Sequence, residues 1–291
     1  MRISSLFESN APCFSFEFFA PKDDAGRTAF RRALDELTAL SPGFISITCG
    51  ASGSRRQPSL DLVKELMADG RFLVMAHLTC QGQTRRALES ELALLKGLGV
   101  ENIFALRGDP PREETMCADD DGAPRTGADF VRMVRDSGLG FCVGAAAYPD
   151  VHPKAASPQA DLDDLKRKED AGARFLVTQL FFDNGRFFDF VERARRAGVS
   201  IPIIPGIMPI TGFRQVTRFQ DACGVKVPDR LRTVLERHQD NPEAIADFGA
   251  AYATAQCMDL MASGFRHLHF FTLNRSPATR AIVLALKGFH G

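Results

Sequence analysis

The chain has 291 residues, of which 45% are hydrophobic and 25% charged, an ordinary composition for a globular protein with a sizeable core. Lys plus Arg and Asp plus Glu number 36 each, so the formal net charge is zero and bulk attraction to nucleic acid or an anionic membrane is not expected. Seven cysteines stand singly with no C-x-x-C pair, which argues against a disulfide framework and against a zinc knuckle.

Short β-rich apolar runs alternate with amphipathic stretches along the chain. FSFEF (14–18) reads as a first strand, followed by a helix over 24–40. FISIT (44–48) precedes a helix over 59–69, and FLVMAHL (72–78) one over 84–97. NIFAL (102–106) is followed by 127–137, and FCVGAAA (141–147) by 159–171. FLVTQLF (175–181) leads to 186–197, IPIIPGI (201–207) to 211–221, and HLHFFTL (267–273) to 277–287. Residues 228–263 read as one or two extra helices before the last strand.

Eight β–α repeats predict an α/β fold of the (β/α)8, or TIM-barrel, kind. A doubly wound sheet is the rival, but FFAPKDDAGR follows the first strand where G-x-G-x-x-G would stand. No linker or composition break divides the chain, so residues 1–291 are expected to form one domain. With no basic-then-apolar leader and no apolar run near ~20 residues, a cytoplasmic, reducing setting is expected.

Barrel enzymes carry their chemistry at the C-terminal strand ends. Those ends hold Glu17; Thr48, Cys49 and Gly50; His77 and Thr79; Arg107, Gly108 and Asp109; Tyr148; Gln179 and Asp183; Met208; and Asn274 with Arg275. Strand alternation sets Phe14, Phe16 and Phe18 on one face, toward the helices, and Ser15, Glu17 and Phe19 on the other. Glu17 then lies inside the barrel near its mouth, where burial suits a general acid; a Glu paired with Arg or Lys for structure is the alternative. ALRGDPP (105–111) is equally a ligand-contacting turn or an ordinary loop with an internal ion pair. Asp161 and Lys168 are seven residues apart and share a helical face with Asp164 between them. With Tyr148 and His152 from the preceding loop, they form either a nucleotide site or a solvated charged helix. His267 and His269 stand at the start of the last strand, away from the active end, without a second metal-spaced cluster, so no metal site is expected. Strand six holds no Lys for a Schiff base, and no phosphate-binding G-x-x-x-x-G-K-[ST] or hydrolase G-x-S-x-G occurs.

Taken together and in order, SFEFFAPK (15–22), ITCGASGS (47–54), AHLTC (76–80), FALRGDPP (104–111), AAYPDVHP (146–153), QADLDDLKRKEDAGA (159–173), TQLFFD (178–183), IPIIPGIMPITGF (201–213) and FFTLNR (270–275) resemble the 5,10-methylenetetrahydrofolate reductase family, in its short bacterial form. The resemblance implies a TIM barrel carrying FAD that reduces methylenetetrahydrofolate to 5-methyltetrahydrofolate with NADH or NADPH, NADH being favoured. It implies ping-pong hydride transfer through the flavin and a product feeding methionine synthesis. Glu17 falls on the family's proton donor to folate N10, and Asp109 on a residue beside flavin and pterin. FAD contacts are implied for Thr48, Cys49, Gly50, Ala51, His77, Arg107, Gly108, Asp109, Thr126, Gly127, Tyr148, His152, Ala155, Asp161, Asp164, Arg167 and Lys168. Substrate contacts are implied for Glu17, Gln179, Phe213, Phe271 and Arg275. Cys49, Thr126 and Phe271 stand where the family carries Tyr, and Asp164 where it carries Asn. A homo-oligomer with small-molecule substrates, without nucleic-acid or membrane partners, is expected. So is the absence of a response to S-adenosylmethionine, because little chain follows the barrel. The alternatives are a flavin-free reductase relative and a catalytically idle folate- or flavin-binding partner subunit.

Overall fold

A computed structural model describes residues 1–9, 11–49, 56–108 and 122–290. Eight parallel strands close into a barrel in chain order, β1 pairing with both β2 and β8. They are β1 (Cys13–Phe19), β2 (Phe44–Thr48), β3 (Val74–Thr79), β4 (Asn102–Leu106), β5 (Cys142–Ala147), β6 (Phe175–Leu180), β7 (Ile203–Ile207) and β8 (His267–Phe271). Between and after them run α1 (Asp24–Thr38), α2 (Arg56–Asp69), α3 (Arg85–Gly97), α4 (Gly127–Asp136), α5 (Pro158–Ala171), α6 (Asn184–Arg196), α7 (Phe213–Cys223), α8 (Asp229–Arg237), α9 (Pro242–Ala262) and α10 (Pro277–His290). The expected TIM barrel is present, and the stretch before the last strand resolves into two helices, α8 and α9. Among the described residues, no helix is long and apolar enough to cross a membrane.

Helix starts follow local chemistry. Asp23, Thr84, Ser157, Asp183 and Asn241 each accept a hydrogen bond from a first-turn backbone N–H, and Pro158 and Pro242 stand just inside their helices. Thr126 and Asp129 form a reciprocal capping box at α4. Several expected strand ends move inward. Phe72 and Leu73 precede β3, and Ile201 and Pro202 precede β7. Thr272 and Leu273 follow β8, where Leu273 and Asn274 turn out of the strand at φ 51° and 57°.

Phe14, Phe16 and Phe18 face outward as the alternation required. Phe16 lies 6.1 Å from Phe270, and Phe18 packs edge-on against Phe30 of α1 at 5.5 Å. They belong to the main core between barrel and helices. A second core fills the lower barrel with Phe44, Met75, Phe104, Phe175 and Ile204. Gly144 makes room there, since a Cβ would stand 2.5 Å from the Phe175 ring. This end is sealed by a 3-10 turn, Ile3–Glu8: Ile3 is fully buried, its N–H bonds Asn102 Oδ1 at 2.8 Å, and Phe7 packs on Phe175 at 5.2 Å. A third core, around Leu180, Phe182, Met208 and Ile210, joins α7, α8 and α9 to the strand ends.

Candidate active site

Above the apolar floor, the barrel interior turns polar. Glu17 is 17% exposed, and Oε2 lies 3.4 Å from His269 Nε2 and 3.7 Å from His77 Nε2. His269 is in turn 2.8 Å from Ser15 Oγ through Nδ1 and 3.5 Å from Ser46 Oγ through Nε2, and its ring stacks on Phe44. Among the described residues, Glu17 is thus paired with histidines rather than with an Arg or Lys. This corrects the placement of His269 at the remote end of its strand: it is the third residue of β8, and alternation points it at Glu17. Its neighbour His267 does lie low, against Phe7 at 4.9 Å.

His77 is buried on Phe104, with ring centroids 4.7 Å apart, and Nε2 has no hydrogen-bond partner. Burial pushes its pKa down to about 4; Glu17 opposes that shift and His269 adds to it. At neutral pH the His77 ring is therefore uncharged, so its contact with Glu17 is not an ion pair.

The backbone around Glu17 is clamped from the exit of β8. Thr272 Oγ1 donates to the Glu17 carbonyl at 2.6 Å. Asn274 accepts from Phe19 N–H at 3.0 Å and donates to Phe19 O at 2.8 Å. Phe271, whose ring occupies the space over Gly206, turns into the site beside His269.

From Glu17 a cavity of about 610 Å³ runs across the barrel mouth to α5. Its middle is walled by Thr48, Cys49, Thr79, Arg107 and Gly108. Burial pushes the Cys49 thiol up, and Arg56 nearby opposes this. Gly108 has φ 84°, and a Cβ there would stand 2.9 Å from Thr79 Cβ, so only glycine lets the turn after β4 lie this close. Behind that wall Arg56 makes a bidentate pair with Glu91 and donates to the Thr79 carbonyl at 2.9 Å.

The far end carries Tyr148, His152, Lys154, Ala155 and the expected face of α5. Tyr148 and His152 pack edge-on at 4.5 Å. Asp161 accepts from the His152 backbone N–H at 3.0 Å; burial raises its pKa, with that N–H and Lys168 pulling the other way. Lys168, only 6% exposed, bonds Asp164 at 2.8 Å and the Ala146 carbonyl at 3.0 Å, and Gly127 gives its stem room. Arg167 lies 3.4 Å from Asp164. Burial lowers the His152 pKa, with Asp161 opposing.

One cavity thus gathers Glu17, Thr48, Cys49, His77, Arg107, Gly108, Thr126, Gly127, Tyr148, His152, Ala155, Asp161, Asp164, Arg167, Lys168, Gln179 and Phe271. Gly50, Ala51 and Asp109 lie outside the described residues. Phe213 and Arg275 do not line it. Phe213 opens α7, packed against the third core, and the Arg275 side chain is exposed. Asp183 is spent as the cap of α6. Gln179 turns its Oε1 to the Leu180 N–H at 2.9 Å, where the β6–β7 register shifts. The sequence reading passed over Ser15, Ser46 and His269 as site residues; the period-two pattern of β1, β2 and β8 carries the signal for all three.

The sequence profile of the family described as Methylenetetrahydrofolate reductase matches residues 2–287. The chain is 35% identical over 295 residues to Methylenetetrahydrofolate reductase (NADH) 1 of Arabidopsis thaliana, a match covering 98% of this chain and 50% of that one. It is 35% identical over 269 residues to the 5,10-methylenetetrahydrofolate reductase of Escherichia coli (strain K12), covering 92% and 88%. The chain therefore spans about half the length of the plant relative and most of the bacterial one. Among solved structures, a Clostridium thermocellum protein that binds two copies of 5-methyl-5,6,7,8-tetrahydrofolic acid aligns with a TM-score of 0.66 at 10% identity, over 98% of this chain and 97% of that one. A 2,3-dimethylmalate lyase aligns at 0.52 and 9% identity, over 100% and 83%. At such low identity these two share the fold alone.

Proposed function

This chain belongs to the methylenetetrahydrofolate reductase family, and from that premise we propose that it reduces 5,10-methylenetetrahydrofolate to 5-methyltetrahydrofolate with a reduced nicotinamide, using FAD held in the long cavity. The carrying observation is Glu17, a carboxyl set among histidines at one end of a cavity whose other end is lined by paired carboxylates and cations.

The residues present fit a flavin dinucleotide. Gly108 offers a backbone without a Cβ at mid-cavity, and His77 Nε2 is a buried nitrogen without a partner. Asp161 supplies an acceptor for ribose hydroxyls, while Arg167, Lys168 and Lys154 supply cations for a pyrophosphate. FAD, when bound, supplies a hydride carrier between the nicotinamide and the folate, which makes the cycle ping-pong. On the strength of the resemblance alone, Asp109 would tune hydride transfer electrostatically.

Glu17 in its acid form donates its proton to N10 of the folate, opening the five-membered ring to a reactive N5 iminium. His269, braced by Ser15, holds the carboxyl, and neutral His77 adds no charge that would draw its proton away. Gln179 presents an amide to the pterin or the nicotinamide, and Phe271 an apolar face. NADH is the preferred donor, in keeping with the plant relative whose name carries it. The same reading makes the protein a cytoplasmic homo-oligomer whose product feeds methionine synthesis.

The test begins with the visible spectrum of the purified protein after adding FAD; absence of flavin bands overturns the flavin reading. Anaerobic stopped-flow mixing then measures flavin reduction by NADH and NADPH. Glu17→Gln should leave that half-reaction nearly intact and slow folate reduction by at least about 100-fold. Equal loss of both halves would refute a folate-specific acid.

A further inference from the structure

Asp150 lies outside the cavity and is partly buried, with its side chain 7% exposed. One carboxylate oxygen accepts from the Lys226 backbone N–H at 2.9 Å, in the connection between α7 and α8. The other lies 3.5 Å from Arg186 Nη1 on α6. A carboxylate that accepts from the backbone of a distant segment ties the two segments together.

The residue it holds in place is unusual. Val151 adopts φ 65°, in the left-handed region that a β-branched side chain avoids. Such a conformation persists only where its surroundings over-determine it. The turn, closed by Val151 N–H to the Tyr148 carbonyl at 3.2 Å, is what lets the His152 N–H reach Asp161 and the His152 ring meet Tyr148. One residue further, Pro153 lies against Gly224, which caps α7 at φ 69°; a Cβ there would stand 3.0 Å from Pro153 Cγ. The loop 148–155 is therefore built onto the end of α7 at two points. The start of α7 packs, through Phe213, into the same core as Phe271, which lines the opposite end of the cavity.

We propose that Asp150 is a positioning residue that fastens the nucleotide-binding loop to the α7–α8 connection, so that filling the α5 end of the cavity orders α7 and α8. The inference rests on the dinucleotide reading above. By linkage, whatever dinucleotide binding gives to α7–α8, the order of α7–α8 returns to binding.

The experiment measures FAD and NADH binding to the full chain by fluorescence titration, and hydrogen exchange of segment 213–237 with and without each ligand. In the wild type, ligand should slow exchange in that segment. Asp150→Ala should weaken binding about tenfold, the size of one charge-assisted hydrogen bond, and abolish the ligand-induced slowing. Asp150→Asn keeps an acceptor for the Lys226 N–H and should restore both to within about threefold. If Asp150→Ala does not fold, Asp150→Ser, which shortens the acceptor, carries the same comparison. Unchanged affinity in the variant, or exchange raised equally with and without ligand, would overturn the proposal and leave a purely structural carboxylate. Binding of NADH but not FAD by the wild type would refute the flavin reading while the coupling is still read on NADH; binding of neither overturns both.

Discussion

Replacing His77 with Phe should remove a pH dependence that the wild-type fold carries. The His77 ring is buried on Phe104 and its pKa falls from 6.5 to about 4, so the folded protein holds it neutral while the unfolded chain protonates it below 6.5. A depressed folded pKa gives stability that is present above 6.5 and lost as pH falls toward 4. Integrating proton uptake between those values, the loss is negligible at pH 7.5 and reaches about 2 kcal/mol at pH 5.0. Phenylalanine keeps the aromatic contact with Phe104 and cannot titrate. Urea unfolding of the apo chain at both pH values should show the wild type losing about 2 kcal/mol more than His77→Phe on acidification. Equal losses would mean that the ring is hydrated or already charged in the fold, and the neutral-histidine argument at Glu17 would fall with it.

Thr272→Val removes the hydroxyl that bonds the Glu17 carbonyl while keeping the side-chain shape; it should slow folate reduction about tenfold and leave NADH-driven flavin reduction unchanged in stopped flow. Gly108→Ala must place a Cβ at φ 84° and 2.9 Å from Thr79, so chemical denaturation should show a loss of at least about 1–2 kcal/mol. Glu91→Gln strands the Arg56 guanidinium behind the cavity wall and should cost about 3 kcal/mol, whereas the double change Arg56→Met with Glu91→Leu should cost far less in the same denaturation assay.

The barrel was legible because each strand is a short β-rich run set off by a helix of different period, and those signals are local. The α5 face was legible for the same reason: Asp161, Asp164 and Lys168 meet by helix geometry alone, and all three line the cavity. His269 was not, because its role depends on the β8–β1 register, Ser15 against His269 and Glu17 against Phe271, which joins the two ends of the chain. Judged by its place near the start of its own strand, it looked remote from the mouth. Strand ends slipped where a backbone constraint overrode an apolar run, as at Pro202 before β7 and at the left-handed pair Leu273 and Asn274 after β8. The bond from Asp150 to Lys226 spans 76 residues and leaves no local pattern.

The plug formed by Ile3 and Phe7 makes the barrel a blind well. Among the described residues, Phe44, Phe104 and Phe175 pack the base beneath Glu17, with Phe7 against Phe175. On the proposed mechanism, a proton spent by this carboxyl returns from the cavity above it, the side on which the reactants bind. On the same mechanism, recharging of the acid and exchange of the reactants then share the cavity side of the barrel.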